Sequence, residues 1–186
     1  MIEALANTIT SFGLSASAGL NAYIPLLIVA LLARFTELIR LNEAFDALTN
    51  TWVIAVLVVL TLIEILVDKI PAVDTINDTI QTFVRPAAGA ILFAASSNVI
   101  ADVHPVLAMI CGILVAGTIH VVKATARPLV TVTTAGTANP LVSTAEDITS
   151  GIVSLISILV PIVALVLIVF GVLLIVRSLR RLRAHA

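Results

Sequence analysis

The chain has 186 residues, of which 60% are hydrophobic and 11% are charged, with a formal net charge of -1 and a mean hydropathy of +1.19. Soluble domains carry about 25% charged residues, so this composition excludes an ordinary water-soluble core and predicts an all-α integral membrane protein. The balanced charge and the lack of a basic, aromatic-interleaved surface argue against nucleic-acid binding. The single cysteine, Cys111, lies in an apolar run and indicates a core or lipid-facing thiol.

Six apolar runs follow one another, at residues 14–33, 52–68, 87–101, 105–122, 129–145 and 152–176. A helix needs about 20 residues to cross a hydrocarbon layer of about 30 Å, which the first, second, fourth and sixth runs approach or exceed. The third is short and the fifth contains Asn139-Pro140, so each is either a short span or a re-entrant segment. The sequence therefore predicts one membrane domain over residues 1–186, a bundle of about six transmembrane or re-entrant helices.

The start of the chain contains Glu3 but no basic residue before the first run, so we expect that run to be retained rather than cleaved as a signal peptide. The run contains SASAGLNAYIPLL, in which Asn21 is a polar amide and Pro25 removes a backbone hydrogen bond. This pattern predicts a kinked or locally unwound helix. Asn21 either joins neighbouring helices or binds a ligand.

Residues 34–51 alternate charged and apolar side chains, which predicts a short amphipathic helix on the outer interface, followed by Trp52 in an aromatic belt. The next run leads into a cluster of charge. Glu64 and Asp68 share one helix face, whereas Lys69 points about 100° away from Asp68. Arg85 returns from the following segment and can neutralise one of the two acids.

Residues 72–84 have apolar and polar faces, with Asp74 and Asp78 on the polar one, and predict a cytoplasmic amphipathic helix that Arg85-Pro86 ends. Two interpretations of this acidic hairpin remain open. It is either a closed salt-bridge structure, or it leaves one carboxylate free to bind a cation or a proton.

The fourth run carries Gly112 and Ala116 at the spacing of a packing or oligomer face. His120 near its end is either satisfied at the interface or part of a proton relay. The fifth run is rich in hydroxyl groups, including Thr134, and the Gly136 to Pro140 interruption is a second candidate for a broken helix. Glu146 and Asp147 are expected at the outer end of this run.

The distribution of basic residues favours six crossings with both termini in the cytoplasm. Eight basic residues then lie inside and two outside, Arg34 and Arg40. Residues 177–186 form a basic cytoplasmic tail that binds anionic lipid. The layout allows an inverted repeat of three plus three helices, which is common in transporters.

The segments SASAGLNAYIPLL and EILVDKIPAVDTINDTIQTFVRPAAGA resemble those of a bacterial family of small multi-pass membrane proteins catalogued as a domain of unknown function. The resemblance implies a bacterial inner-membrane address but no activity. The segment EILVDK resembles, less closely, the Glu-x-Gly-Asp-Lys signature of divalent-cation/proton exchangers. Here the two acidic residues are one position further apart and the glycine is absent. The six-span layout is also similar to that of the lysine-exporter-like transporters.

No nucleophile–histidine pair, phosphate loop or Cys/His metal cluster is evident, so the sequence predicts a non-enzyme without a cofactor and does not identify a metal. The expected function is a transporter or channel for a small ion or polar solute, possibly a cation, in a homo-oligomer. The alternative is a membrane scaffold that binds a partner through the acidic hairpin. The candidate substrate-binding residues are Asn21, Glu64, Asp68, Lys69, Asp74, Asp78, Arg85, Thr134 and Asn139.

Overall fold

The structure is a computed structural model that describes residues 2–69, 71–96 and 104–160, with side chains from residues 6–69, 77–96 and 104–160. Within these ranges every regular element is helical. The helices are α1 (Ile2–Leu20), α2 (Tyr23–Phe35), a short 3-10 helix (Glu43–Thr49), α3 (Thr51–Val67), α4 (Pro71–Ser96), α5 (Pro105–Thr134) and α6 (Asn139–Val160). The predicted all-α class is therefore confirmed, and the basic tail at 177–186 lies outside the described residues.

Two described helices, α5 and α6, are long and apolar enough to cross a membrane. A third candidate arises if the 3-10 helix and α3, which meet at a 66° bend, count as one span. Helix α2 is apolar but shorter. Membrane-type helices are thus present, whereas the count of six crossings and the inverted repeat stay predictions.

The predicted break in the first run is confirmed, but the run is not one crossing. Helix α1 ends at Leu20 and α2 begins at Tyr23. In the middle of α1, Ser11 contacts Ser96 at the end of α4. Near the end of α2, Arg34 donates to the carbonyl of Thr49 before α3, and between these two residues the amide of Asn42 donates to Ala95, also at the end of α4. The two helices therefore run in opposite directions, and residues 14–33 form a hairpin because the chain reverses at the break.

Pro86 does not end a helix. Residues 72–84 lie within α4, which continues through this proline to Ser96, so the predicted helix end at Arg85-Pro86 is wrong. A proline removes one hydrogen bond and bends a helix, but packing on both sides can keep the helix continuous. The same holds for Pro128 inside α5.

The fifth run is also not a separate crossing. Helix α5 continues to Thr134, the chain turns through Ala135 and Gly136 at positive φ, and α6 begins at Asn139. The broken helix predicted at Gly136 to Pro140 is confirmed. The turn returns the chain alongside α5, so residues 129–145 belong to two antiparallel arms.

These contacts give the bundle two ends, which we call the charged end and the opposite end. The charged end contains Asp68 and Lys123. The opposite end contains Ser11, Ser96 and the 3-10 helix, since the amide of Asn42 donates to the Ala95 carbonyl (3.0 Å). Residues 36–42 are irregular and only 43–49 are helical, so the predicted amphipathic helix over residues 34–51 is reduced to this short element.

Helices α4 and α5 pack at small residues in the centre of the bundle. A Cβ added to Gly112 would collide with the backbone of Gly89, so the two helices approach to backbone contact. Ala116 is fully buried at the same interface. The small-residue face predicted in the fourth run is therefore used for packing within the chain, and this close approach brings the polar ends of α4 and α5 together.

Candidate functional site

Charged side chains from four helices converge on a buried group that we call the ionic cluster. The members on α3 and on α5 are three or four residues apart and the two on α4 are seven apart, so the members of one helix share one face. The members are Glu64 and Asp68 from α3 and its C-cap, Asp78 and Arg85 from α4, His120, Lys123 and Arg127 from α5, and Glu146 from α6.

Arg85 is completely buried and contacts side chains of α3 and α5 as well as Asp78 of its own helix. Its Nη2 donates to Glu64 Oε1 (3.2 Å) and lies 3.8 Å from Asp68 Oδ2. Its Nη1 lies 3.1 Å from His120 Nδ1 and 4.0 Å from Asp78. Because a guanidinium cannot lose its proton in a protein, these contacts are what allow a full charge to remain inside the bundle.

Asp68 lies at the centre of the ionic cluster. Its Oδ2 is within 3.8 Å of nitrogen atoms of Arg85, Lys123 and Arg127. Its Oδ1 accepts a hydrogen bond from the amide of Asn77 (2.8 Å). One carboxylate thus joins α3, α4 and α5 electrostatically.

Glu146 brings α6 into the same group. Its Oε2 lies 2.9 Å from Lys123 Nζ and 3.0 Å from Arg127 Nη2. The sequence prediction that Glu146 marks the outer end of a crossing is therefore wrong. Glu146 lies at the same level as Lys123 because the α5–α6 turn reverses the chain before residue 146.

The hydrogen bonds of His120 define its protonation. Arg85 can only donate, so Nδ1 of His120 accepts, which leaves the proton of the neutral ring on Nε2. That Nε2 lies 3.1 Å from the hydroxyl of Thr82. His120 is therefore a neutral member of the ionic cluster, held by α4 on both ring nitrogens.

Apolar side chains surround the ionic cluster on the outside of the bundle. Leu66 lies two residues from both Glu64 and Asp68 and is 65% exposed, and Phe83, two residues from Arg85, is 76% exposed. Exposed apolar residues continue past this level on the arms of the α5–α6 turn, at Leu129, Val132 and Leu141. Exposed apolar side chains of this kind suit lipid, and ionisable groups that lie at membrane depth usually serve a function.

The break between α1 and α2 adjoins the ionic cluster. The side-chain oxygen of Asn21 accepts from the amides of Tyr23 and Ile24, and its nitrogen donates to Asp147 Oδ1 (2.9 Å). On the other side of the break, Lys123 Nζ donates to the carbonyl of Leu20 (2.9 Å). Both helix ends exposed by the reversal are thus satisfied by polar side chains.

Buried hydroxyl groups extend from this break toward the opposite end. Ser17 bonds to Ser150 and Ser154 on α6, and Thr10 donates to the carbonyl of Ser157. Every one of these side chains is buried. Such hydrogen bonds stabilise the association of membrane helices, because apolar contacts between helices are not favoured over apolar contacts with lipid.

The ionic cluster contains more acceptors than donors. Three buried oxygen atoms of the cluster, and one of Gln81, which precedes Arg85 by one turn of α4, have no hydrogen-bond donor, against one nitrogen without an acceptor, Arg85 Nε. Two of the four, Asp68 Oδ2 and Asp78 Oδ1, still face bases at ion-pair distance. The other two are Glu64 Oε2 and Gln81 Oε1, on residues that are 1% and 2% exposed. Buried acceptors of this kind suit a proton, a cation or a hydrogen-bond donor.

The structure brings together only some of the candidate substrate-binding residues. Glu64, Asp68, Asp78 and Arg85 meet in the ionic cluster, and Asn21 lies beside it. Lys69 is not a member, because its ammonium donates to the carbonyl of Ile65 (3.1 Å). The side chain of Asp74 lies outside the described residues.

The two candidates at the second break have local partners. Thr134 donates to the carbonyl of Val130 (2.7 Å) and accepts from the amide of Ala138, which stabilises the turn. Asn139 bonds to Thr131 across the two arms (3.0 Å). Neither contacts the ionic cluster through a described hydrogen bond, so both serve the α5–α6 turn.

Sequence reasoning missed Lys123, Arg127, Glu146 and Asp147 as members or neighbours of the site, because it assigned them to loops and span boundaries. Their i, i+4 spacing on α5 was the signal that could have identified the first two. In the described part of the chain, no three His, Cys, Asp or Glu side chains are arranged to hold a metal ion.

The chain belongs to the family described as Domain of unknown function (DUF4126), whose model matches residues 8–181. This confirms the resemblance to a family of that kind. No curated protein and no solved structure matches the chain.

Proposed function

We propose that this protein is a membrane transporter or channel for a small ion or polar solute, and that the ionic cluster with Asn21 is its binding site. The observation that carries the proposal is the pair of buried acceptor oxygens without a donor, on Glu64 in the ionic cluster and on Gln81, one turn before Arg85. A closed structural salt bridge has no need of such acceptors. Their excess favours a positively charged or hydrogen-donating solute over an anion.

The broken helix supports the same proposal. Transporters commonly bind solutes where interrupted helices present their ends in the membrane interior. Here the reversal at Asn21 contacts Lys123, which belongs to α5, and Asp147, which belongs to α6. A shift of either helix would change the partners of both helix ends, which links the site to movement of the bundle.

The proposed membrane is a bacterial inner membrane, with the charged end toward the cytoplasm. Fewer basic residues support this orientation than the sequence alone indicates. Arg85, Lys123 and Arg127 are buried in helices and so cannot act as loop charges in the positive-inside rule. Ser11 of α1 lies at the opposite end. A cytoplasmic charged end and the predicted cytoplasmic N-terminus therefore place the two ends of α1 differently, and we propose the orientation of the charged end. Homo-oligomer formation and the lipid-binding, cytoplasmic tail stay predictions.

Flux in liposomes tests the proposal. Purified protein is reconstituted, and gradients of protons, sodium and potassium are followed with ion-sensitive dyes. We expect flux through the wild type and its loss in Glu64→Gln and Asp68→Asn, which preserve shape and remove charge. Glu43→Gln is the matched control, because this glutamate is exposed at the opposite end. Flux that is equal in wild type and both site variants, or absent under every gradient and for polar solutes, contradicts the proposal.

The scaffold function has less support. A docking surface for a cytoplasmic partner needs exposed carboxylates, whereas Glu64 and Asp68 are each 1% exposed and face inward. Their partners are residues of the same chain. A soluble partner would therefore have to open the ionic cluster before it could reach these acids.

A further inference from the structure

The charges of the ionic cluster do not balance among the described residues. Its described side chains supply four carboxylates and three basic groups, while His120 is neutral by its hydrogen bonds. The bases are Arg85, Lys123 and Arg127. One negative charge is left over in a group whose Glu64, Asp68 and Arg85 side chains are buried, where a net charge is costly.

Glu64 is the carboxylate with the fewest basic contacts. Asp68 faces three bases, and Glu146 lies within 3.0 Å of two. Glu64 has one, Arg85, which reaches only its Oε1, while its Oε2 has no donor. The surplus charge is therefore most easily neutralised at Glu64 Oε2.

A second buried oxygen atom without a donor belongs to Gln81 of α4. Gln81 precedes Arg85 by one helical turn, and its Oε1 has no donor although the residue is 2% exposed. Tyr23 connects the two, because it shares a side-chain hydrogen bond with Gln81 and lies within electrostatic reach of Glu64. The charged groups that act on Glu64 are Arg85 from α4, Asp68 from its own helix and Lys123 from α5.

We propose that Glu64 holds one exchangeable proton on Oε2, with the Gln81 amide oxygen and Tyr23 as the surrounding polar groups. A proton there converts an acceptor into a donor, which provides a hydrogen-bond partner for the Gln81 oxygen and balances the charges at the same time. No described group of acids suits a metal ion, which favours a proton over a divalent cation. The inference rests on the proposed function in one respect: where transport occurs, this proton is the one coupled to it.

Infrared difference spectroscopy of the protein in lipid tests the proton directly. Between neutral and alkaline buffer, exposed carboxylates stay ionised, so a protonated-carboxyl band at neutral pH must come from a buried group. We expect such a band, a shift of the band on ¹³C-labelling of the glutamate carboxyls in the wild type, and its loss in Glu64→Gln. Gln81→Leu should shift the band because the hydrogen-bond acceptor is gone. The control Glu37→Gln, at an exposed residue, should leave it unchanged.

Three results would overturn the inference. They are the absence of a protonated-carboxyl band in the wild type, a band that ¹³C-glutamate leaves unshifted, and a carboxylate band that sodium or potassium perturbs in the wild type but not in Glu64→Gln. The last result would replace the proton by a monovalent cation. Isotope labelling needs no substitution, so a variant that fails to assemble does not block the test. A present band without flux refutes the transport proposal alone, and flux without the band refutes this inference alone.

Discussion

Replacing Arg85 by methionine removes the positive charge that holds the ionic cluster together while keeping an unbranched side chain. Glu64 Oε1 then loses its only base and His120 Nδ1 loses its donor, and both groups are buried. Leaving a buried partner uncompensated costs about 3–5 kcal/mol. We therefore expect Arg85→Met to lower the free energy of unfolding by that amount, which corresponds to a decrease of roughly two to four orders of magnitude in the folding equilibrium constant.

The matched control is Arg40→Met. Arg40 pairs with Glu37 at 3.4 Å, but both side chains are more than 80% exposed. Exposed pairs contribute about 0–1 kcal/mol, so this substitution should change stability little. The comparison keeps the residue types constant and changes only burial.

The assay is reversible unfolding in mixed lipid and detergent micelles, followed by circular dichroism. A third variant, Arg85→Met with Glu64→Leu, removes both partners of the Arg85–Glu64 contact and should recover part of the loss, since paired removal leaves no buried carboxyl without its basic partner. Equal destabilisation by Arg85→Met and Arg40→Met would refute the reasoning, because it would mean that water reaches the cluster.

Three further predictions concern packing and topology. Gly112→Ala should destabilise the protein by about 1–3 kcal/mol, because the methyl group meets the Gly89 backbone. Gly117→Ala on the same helix meets only Pro86 Cγ at 3.8 Å, an ordinary van der Waals contact, and should be neutral or slightly stabilising in the same assay. Ser17→Ala should cost about 1 kcal/mol, since it removes hydroxyl bonds to α6 and such membrane bonds contribute about 0.6 kcal/mol each, while the exposed Thr118→Ala should have little effect. In a Cys111→Ala background, cysteines introduced at Glu43 and at Lys69 should react with an impermeant thiol reagent from opposite sides of the membrane. Labelling of both cysteines from the same side would contradict the assignment of the two ends.

The local features of this chain could be predicted from its sequence. Composition determined the membrane class, and the proline, glycine and asparagine residues marked both helix breaks, at Asn21 and Gly136. The shared face of Glu64 and Asp68 followed from helical spacing alone. These features depend on residues within a few positions of one another, which is why the sequence carries them.

The direction of the chain after each break was beyond sequence reasoning. Asn21 and Pro25 predict an interruption, but a kinked crossing and a reversal have the same local signature. The reversal is stabilised by Lys123, which is about 100 residues away and caps Leu20. Helix continuity through Pro86 and Pro128 likewise depends on packing against neighbouring helices.

The sequence by itself determined which residue types the bundle must accommodate, and the tertiary structure decided which charges lie inside it. Arg85, Lys123 and Arg127 have the pattern of loop charges in the sequence, yet each is buried against carboxylates from other helices. A buried charge is tolerated only where distant groups compensate for lost hydration. Because those groups come from α3, α4, α5 and α6 together, no single stretch of the chain could identify the site.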